Sequence, residues 1–208
     1  MNKAEYYTFS GLAEAAFVER KSRFLSAGAG VETEAEAMSF LEGQRALHKE
    51  ANHHVYAYRI WNKERFSDDR EPSGTAGAPI LNLLKTEDMM NAIIVVIRYF
   101  GGVLLGTGGL THAYGHSAKL LLGTGKLVKK VRCRKLHIAT DYGFLGKLQY
   151  FIAQSDVLVV DTRYTGLVDL ELVVLEESAD SIVRAVTNLA NGRIEVSVSD
   201  GFYHVYPF

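Results

Sequence analysis

The pattern of apolar and polar positions predicts two successive groups of elements. Before residue 125, β-branched, aromatic or alternating stretches predict strands at 6–9, 15–29, 53–61 and 91–100, the second interrupted by the charged group Glu19-Arg20-Lys21. Helical spacing predicts helices after Thr33, near 79–84 and over 109–122, and Thr33 with Glu36 has the pattern of a capping box. A polar loop, FSDDREPSGTAG, precedes the second helix.

After residue 125 the pattern begins again. It predicts a strand at 126–140, a helix at 142–154, a hairpin of 157–164 and 167–175, a helix at 181–190 that ends at Asn191-Gly192, and a strand at 193–198. The order βαββαβ within about 80 residues is that of the ferredoxin-like fold. The sequence therefore predicts an α+β protein of two domains, 1–125 and 126–208, the second ferredoxin-like.

Composition narrows the class of protein. Of 208 residues, 48% are apolar and 23% charged, with a net charge of −1, so the whole chain is not a polycation built to coat nucleic acid. The N-terminus has no apolar signal segment, and no run of eighteen apolar residues exists to cross a membrane. A single cysteine, Cys133, excludes an internal disulfide and a cysteine-rich zinc site. We expect a cytoplasmic protein without membrane contact.

The segment KLVKKVRCRK, residues 126–135, holds six basic side chains and no acidic one. On a strand, Lys130, Arg132 and Arg134 share one face, and Cys133 lies on the other. Three aligned cations without carboxylates suit the phosphates of RNA, and a solvated strand face is the alternative.

Glycine is concentrated after the strand at 91–100, which carries Arg98. The members of this set are Gly101, Gly102, Gly106, Gly108, Gly109 and Gly115. A strand, glycines and then a helix form a natural anion site, because the helix dipole and its free N–H groups favour negative charge. Neither the P-loop nor the Rossmann spacing is present, although LGTGGLTHA loosely resembles the glycine loop of galactokinase-like and homoserine kinase-like enzymes. Close packing of the glycines explains the pattern equally well.

Polar residues of two other segments are candidates for a cleft beside the glycines. If 53–61 is a strand, His53 and His54 point to opposite faces and cannot share one ion. Adjacent carboxylates in the polar loop are typical of a solvated turn more often than of a magnesium site. We predict a surface cleft, without metal or cofactor, formed by His53, Asp68, Asp69, Glu71 and Ser73.

Four motifs together resemble the IMPACT family: KSRFL at 21–25, HHVYAY at 53–58, SDDREPSGTAGAPIL at 67–81 and RYFGGVLLGTGGLTHAYG at 98–115. The resemblance covers roughly residues 20 to 125. It implies an N-terminal fold similar to the second domain of ribosomal protein S-five and a C-terminal fold similar to the fifth domain of elongation factor G. It also implies a role in translation, since the family's eukaryotic members are tied to control of translation initiation. Arg70 stands where the family pattern has glycine, so a positive φ there would cost about 1 kcal/mol.

These observations favour a non-catalytic, translation-related regulatory factor that binds RNA, the ribosome or a translation partner. The predicted phosphate contacts are Arg98, Gly101, Gly102, Gly106, Gly108, Gly109, Lys130, Arg132 and Arg134. The alternative is a small-molecule or nucleotide phosphotransferase that holds phosphate at Gly106–Gly109. That reaction needs a general base and metal ligands beside the glycines, and the sequence offers only Asp68 and Asp69 for them.

Overall fold

The computed structural model describes residues 3–124 and 126–206. The chain forms two compact units, one of Tyr6–Lys129 and the other of the residues from Lys130 onwards together with the described residues up to Glu5. The boundary predicted at residue 125 falls on a position outside the described residues and stays a prediction. In the described part of the chain, no helix is long and apolar enough to cross a membrane.

The unit of Tyr6–Lys129 is built on a five-stranded antiparallel sheet. The elements, in chain order, are β1 (Glu5–Phe9), β2 (Ala13–Glu19), β3 (Ser22–Gly30), α1 (Glu34–Leu47), β4 (His53–Ile60), β5 (Lys63–Ser67), α2 (Gly77–Thr86), β6 (Ala92–Tyr99) and α3 (Gly106–Leu122). The strand order is β2-β3-β6-β4-β5. Both faces of the sheet are covered, one by α2 and α3 and the other by α1. The central strand β6 is therefore apolar along nearly its whole length.

The second unit has the ferredoxin-like arrangement that the pattern predicts. Its elements are β7 (Leu127–Thr140, whose first residues belong to the other unit), α4 (Tyr142–Ala153), β8 (Val157–Tyr164), β9 (Val168–Leu175), α5 (Glu176–Leu189), β10 (Val196–Val198) and β11 (Phe202–Val205). The sheet order β10-β7-β9-β8 is that of a split βαβ fold, with β11 also paired to β7. Apolar residues of β7 and β9 pack with α4 and α5 in one core. The α+β class and the βαββαβ order are confirmed.

Local sequence signals predicted most helices and strands in the right places but misplaced the starts of some helices. Thr33 caps α1 by accepting from the backbone N–H of Glu36, as predicted. Arg20 and Lys21 take positive φ and turn the chain between β2 and β3, so the predicted interruption is also confirmed. The prediction was wrong at the start of α3, which begins at Gly106 rather than residue 109, and at the start of α5, which begins at Glu176. Strands β5 and β11 were not predicted. Most residues of β5 are exposed and polar, and β11 is only four residues long.

Candidate anion-binding site

A cavity of about 440 Å³ lies beside the first turn of α3, within the unit of Tyr6–Lys129. Side chains from three separate segments line it together with that turn; those used below are His53, Glu71, Arg98, Phe100, Leu104 and Thr107. The register of the sheet explains why two of them meet. His53 of β4 and Arg98 of β6 are direct cross-strand partners, and such partners project from the same face.

A buried carboxylate forms one side of this cavity. Oε1 of Glu71 accepts from Nη1 of Arg98 at 2.6 Å and from the hydroxyl of Tyr114 at 2.7 Å. The side chains of Arg98 and Glu71 are only 5% and 4% exposed. Burial, together with the bond to Glu71, raises the pKa of Tyr114, so this hydroxyl stays protonated and remains a donor. The carboxylate is thus held in place by two donors.

His53 is oriented by the backbone of the loop that carries Glu71. Its Nδ1 lies 2.9 Å from the carbonyl oxygen of Asp69, which can only accept, so Nδ1 carries the proton. The other ring nitrogen, Nε2, lies 3.6 Å from Oε1 of Glu71. The backbone of the loop therefore fixes which edge of the imidazole faces Glu71.

The guanidinium of Arg98 is fixed on several sides. Nη2 donates to Oγ of Ser22 at 3.3 Å, and the central carbon lies 5.5 Å from the ring centres of both Phe24 and Phe100. Nε is buried and has no hydrogen-bond partner among residues 3–124 and 126–206. A buried donor without a hydrogen bond costs about 1 to 3 kcal/mol, and Arg98 is one of the residues that line the cavity.

The acidic residues of the polar loop hold the loop itself. The carboxylate of Asp68 accepts from the backbone N–H groups of Gly74, Ala76 and Gly77 at 2.8 to 3.0 Å. That of Asp69 accepts from the N–H of His54 at 2.6 Å. Neither aspartate lines the cavity, and Ser73 is exposed outside it. Over the described ranges, no cluster of three or more potential ligand side chains is arranged to hold a metal ion.

Arg70 occupies a position that does require positive φ. Its φ is 70°, in the left-handed region where a side chain is strained by about 1 kcal/mol or more. The guanidinium donates to the carbonyl of Asn52 at 3.1 Å, and both residues line the cavity. The strained backbone therefore places a cation at the rim of the cavity.

The glycines of the stretch after β6 have different physical roles. A Cβ on Gly101 would lie 2.0 Å from the carbonyl carbon of Lys21, so only glycine lets these backbones meet. The N–H of Gly101 also donates to Oγ of Ser22 at 3.2 Å. Gly102 and Gly106 take φ of 82° and 70°, which favours glycine. At Gly108 the space for a Cβ is open and φ is not positive, so no contact of the described chain accounts for a glycine there.

The first turn of α3 presents an unfilled backbone surface. No side chain caps it, since the residue before Gly106 is Leu105. The first N–H groups of any helix lack intrahelical partners, and the helix dipole adds positive potential there. Gly106 and Thr107 line the cavity, while a Cβ on Gly109 would lie 3.2 Å from that of Leu105. The predicted glycine loop is therefore the uncapped start of a helix, next to Arg98.

The basic face predicted for the strand at 126–140 lies on β7, in the second unit. Arg132 and Arg134 point to one carboxylate, that of Glu176 at the start of α5, with Nε-to-oxygen distances of 2.8 and 3.3 Å. Arg132 also stacks over the ring of Tyr203. The expectation of cations without a carboxylate was therefore wrong, because a residue 42 positions beyond Arg134 supplies one. Lys130 lies on the same strand, and its phosphate role stays a prediction.

Cys133 lies on the opposite face of β7 from the arginines, as alternation predicts. Its side chain is buried, and burial raises the pKa of the thiol to about 11. The thiol is therefore protonated at neutral pH and packs as a small apolar group.

Several residues of the site were not predicted, among them Arg70, Phe100, Leu104 and Thr107 of the cavity lining. Ser22 and Tyr114 complete the contacts of Arg98 and Glu71, yet each has the sequence pattern of a core position. Tyr114 falls on the buried stripe of α3, and Ser22 follows a charged turn. Helical spacing marks Tyr114 as buried, and a buried tyrosine hydroxyl requires a partner, which is the signal that could have indicated it.

Sequence and structure comparisons agree with this two-unit description. Residues 20–122 match the Impact N-terminal domain, and residues 138–193 match a domain of unknown function, DUF1949. The IMPACT family member YvyE of Bacillus subtilis (strain 168) is 35% identical over 201 residues, 95% of this chain and 93% of its own length. YigZ of Escherichia coli (strain K12) is 30% identical over 182 residues, 85% and 89% of the two chains.

A crystal structure described as that of a hypothetical protein is similar over 94% of this chain and 97% of its own. Its TM-score is 0.62 at 27% sequence identity. The fold thus defines a two-domain α+β protein with a cavity beside the first turn of α3 in its first unit. The chain belongs to the IMPACT family, as its motifs predicted.

Proposed function

We propose that the protein is a translation-related regulatory factor that binds RNA by holding a phosphate group in the cavity beside α3. One observation carries this proposal: the uncapped N-terminus of α3 lines the same cavity as the buried, incompletely paired Arg98. Helix N-termini with a nearby cation are effective phosphate sites, because backbone donors and positive potential act at the same point.

The open space at Gly108 supports a ligand at this turn. Within a helix, alanine is favoured over glycine by about 1 kcal/mol. The described chain gives no steric reason for glycine at this position. A glycine here would let a phosphate oxygen approach the backbone N–H groups closely. A bound ligand would therefore explain why this position is glycine rather than alanine.

Family membership supports the translational setting. The eukaryotic members to which the motifs are similar are tied to control of translation initiation, and RNA is the abundant phosphate polymer of that process. Binding is favoured over phosphotransfer because the carboxylates of Asp68 and Asp69 are already engaged by backbone N–H groups of their own segment and of β4. They are not arranged beside the first turn of α3 as a base and metal ligands.

The proposal is tested by Gly108→Ala, with Gly43→Ala as its matched control. Gly43 lies in α1, is exposed, and also has open space for a Cβ. Both changes should leave the protein folded and slightly more stable to urea. Only Gly108→Ala should weaken binding of a fluorescent single-stranded RNA, by severalfold at matched salt. Equal RNA affinities for the two variants, or no RNA binding by the unmodified protein, would contradict the proposal.

A further inference from the structure

We infer that the cavity recognises a nucleoside monophosphate group, free or at the end of an RNA strand, with its base against Phe100 and Leu104. This inference rests on the proposed function and narrows it from phosphate in general to one terminal nucleotide. The phosphate would lie at the first turn of α3, and the base would cover the apolar wall that the preceding loop provides.

The dimensions of the cavity fit a single nucleotide. Sites for small molecules commonly enclose about 300 to 1,000 Å³, and this cavity is about 440 Å³. A surface that tracks a long nucleic acid is instead an extended basic groove. The cations that line this cavity are Arg70 and Arg98, which is a small local charge rather than a groove.

An apolar wall stands directly beside the polar side of the cavity. Phe100 is 45% exposed and Leu104 is 82% exposed, although both are large apolar residues of the short loop between β6 and α3. Phe100 also lies over the guanidinium of Arg98, so its ring is held in place. Fixed aromatic rings beside a cation are the platforms on which proteins stack unpaired bases.

The donors around the cavity match a terminal phosphate better than an internal one. A monoester has three terminal oxygens and close to two negative charges near neutral pH, whereas a phosphodiester has two free oxygens and one charge. The site offers backbone N–H groups at the first turn of α3 and the guanidinium groups of Arg70 and Arg98, which line the cavity. The carboxylate of Glu71 opposes the anion, but Arg98 and Tyr114 already neutralise and hold its Oε1.

The test compares RNAs of one sequence that differ only in their ends, bound to the full chain. The strands carry a 5′-phosphate, a 3′-phosphate, or hydroxyl groups at both ends, and adenosine monophosphate is the competitor. We expect one phosphorylated end to bind at least about tenfold more tightly than the hydroxyl-ended strand, and the competitor to remove that advantage. If phosphorylated RNA binds and the free nucleotide does not compete, the site recognises the ends of RNA strands. If only the free nucleotide binds, the site recognises free nucleotides and the RNA proposal is wrong.

Leu104→Ala and Leu47→Ala form the matched pair of variants. Both leucines are strongly exposed, at 82% and 74%, so neither change threatens folding, but only Leu104 lines the cavity. We expect Leu104→Ala, and more strongly Phe100→Ala, to reduce the preference for the phosphorylated end, and Leu47→Ala to retain it. Equal binding of all three RNAs would overturn the nucleotide assignment and leave RNA binding intact. Absence of RNA and nucleotide binding would overturn both proposals.

Discussion

Nη1 of Arg98 lies 2.6 Å from Oε1 of Glu71, and both side chains are almost completely removed from water. The pair joins the end of β6 to the loop between β5 and α2. Buried ion pairs contribute little net stability as pairs, but the loss of one partner leaves an uncompensated buried charge. The relationship therefore makes the two residues interdependent.

The first prediction concerns that interdependence. Glu71→Ala leaves the guanidinium of Arg98 buried without its carboxylate, and we expect the free energy of unfolding to fall by about 3 to 5 kcal/mol. Urea denaturation followed by circular dichroism measures the change. Glu42→Ala is the control, because Glu42 pairs with Arg45 on the exposed surface of α1 and its removal should have little effect. Similar losses in the two variants would refute the prediction.

The second prediction compares a glycine whose Cβ position is blocked by other backbone atoms with a glycine whose Cβ position is free. Gly101→Ala places a Cβ 2.0 Å from the carbonyl carbon of Lys21, so we expect a loss of about 3 kcal/mol or more, or failure to fold. Gly11→Ala is the matched change in a turn where a Cβ meets nothing within 4 Å. Its thermal midpoint should stay close to that of the unmodified protein. A stable Gly101→Ala protein would show that the two backbones can separate without penalty.

The third prediction is a pH dependence that arises from His54. Burial lowers the pKa of His54 below its ordinary value of 6.5, outweighing the opposite influence of Asp69, and the charge of Arg45 also disfavours the charged ring. The unfolded chain therefore takes up a proton that the folded chain does not, as pH falls from 6.5 to the lower folded value. Stability is lost over that window and is fully present above it.

The corresponding measurement is the free energy of unfolding at several pH values between 7 and the onset of acid unfolding. His54→Leu removes the titrating group, so its stability should fall less steeply than that of the unmodified protein below pH 6.5. His112→Gln, at an exposed position, should retain the original slope. Parallel curves for the unmodified protein and His54→Leu would contradict the assignment.

The fourth prediction tests the basic face of β7. If this face binds phosphates, replacing Lys130, Arg132 and Arg134 together with alanine should weaken RNA binding and flatten its salt dependence, by about 2 in the slope of log K against log salt. Glu176→Gln should act in the opposite direction, since it releases two arginines from their carboxylate. If neither variant changes the RNA affinity at matched salt, this face is not part of the binding surface.

Prediction from sequence was most accurate where a local signal decides the structure. Thr33 with Glu36 defines the start of α1 because the capping contacts lie within a few residues. The start of α3 was misplaced because glycines look like loop residues even when they form a first helical turn. The meeting of His53 and Arg98 follows from strand register, whereas the pairing of Arg134 with Glu176 spans 42 positions and leaves no trace in either local pattern. Long-range partners of charged groups depend on packing that periodicity does not encode.

Ser22 receives two donors at one oxygen, from Nη2 of Arg98 and from the N–H of Gly101. The loop that leads into α3 is thereby tied to the start of β3 and the end of β6 while the chain folds. The conformational entropy of that loop is lost before a ligand arrives, and preorganisation of this kind favours association. Ser22→Ala would restore that conformational freedom to the unbound loop without removing a ligand contact. Its effect on affinity would therefore be found in the entropy of binding.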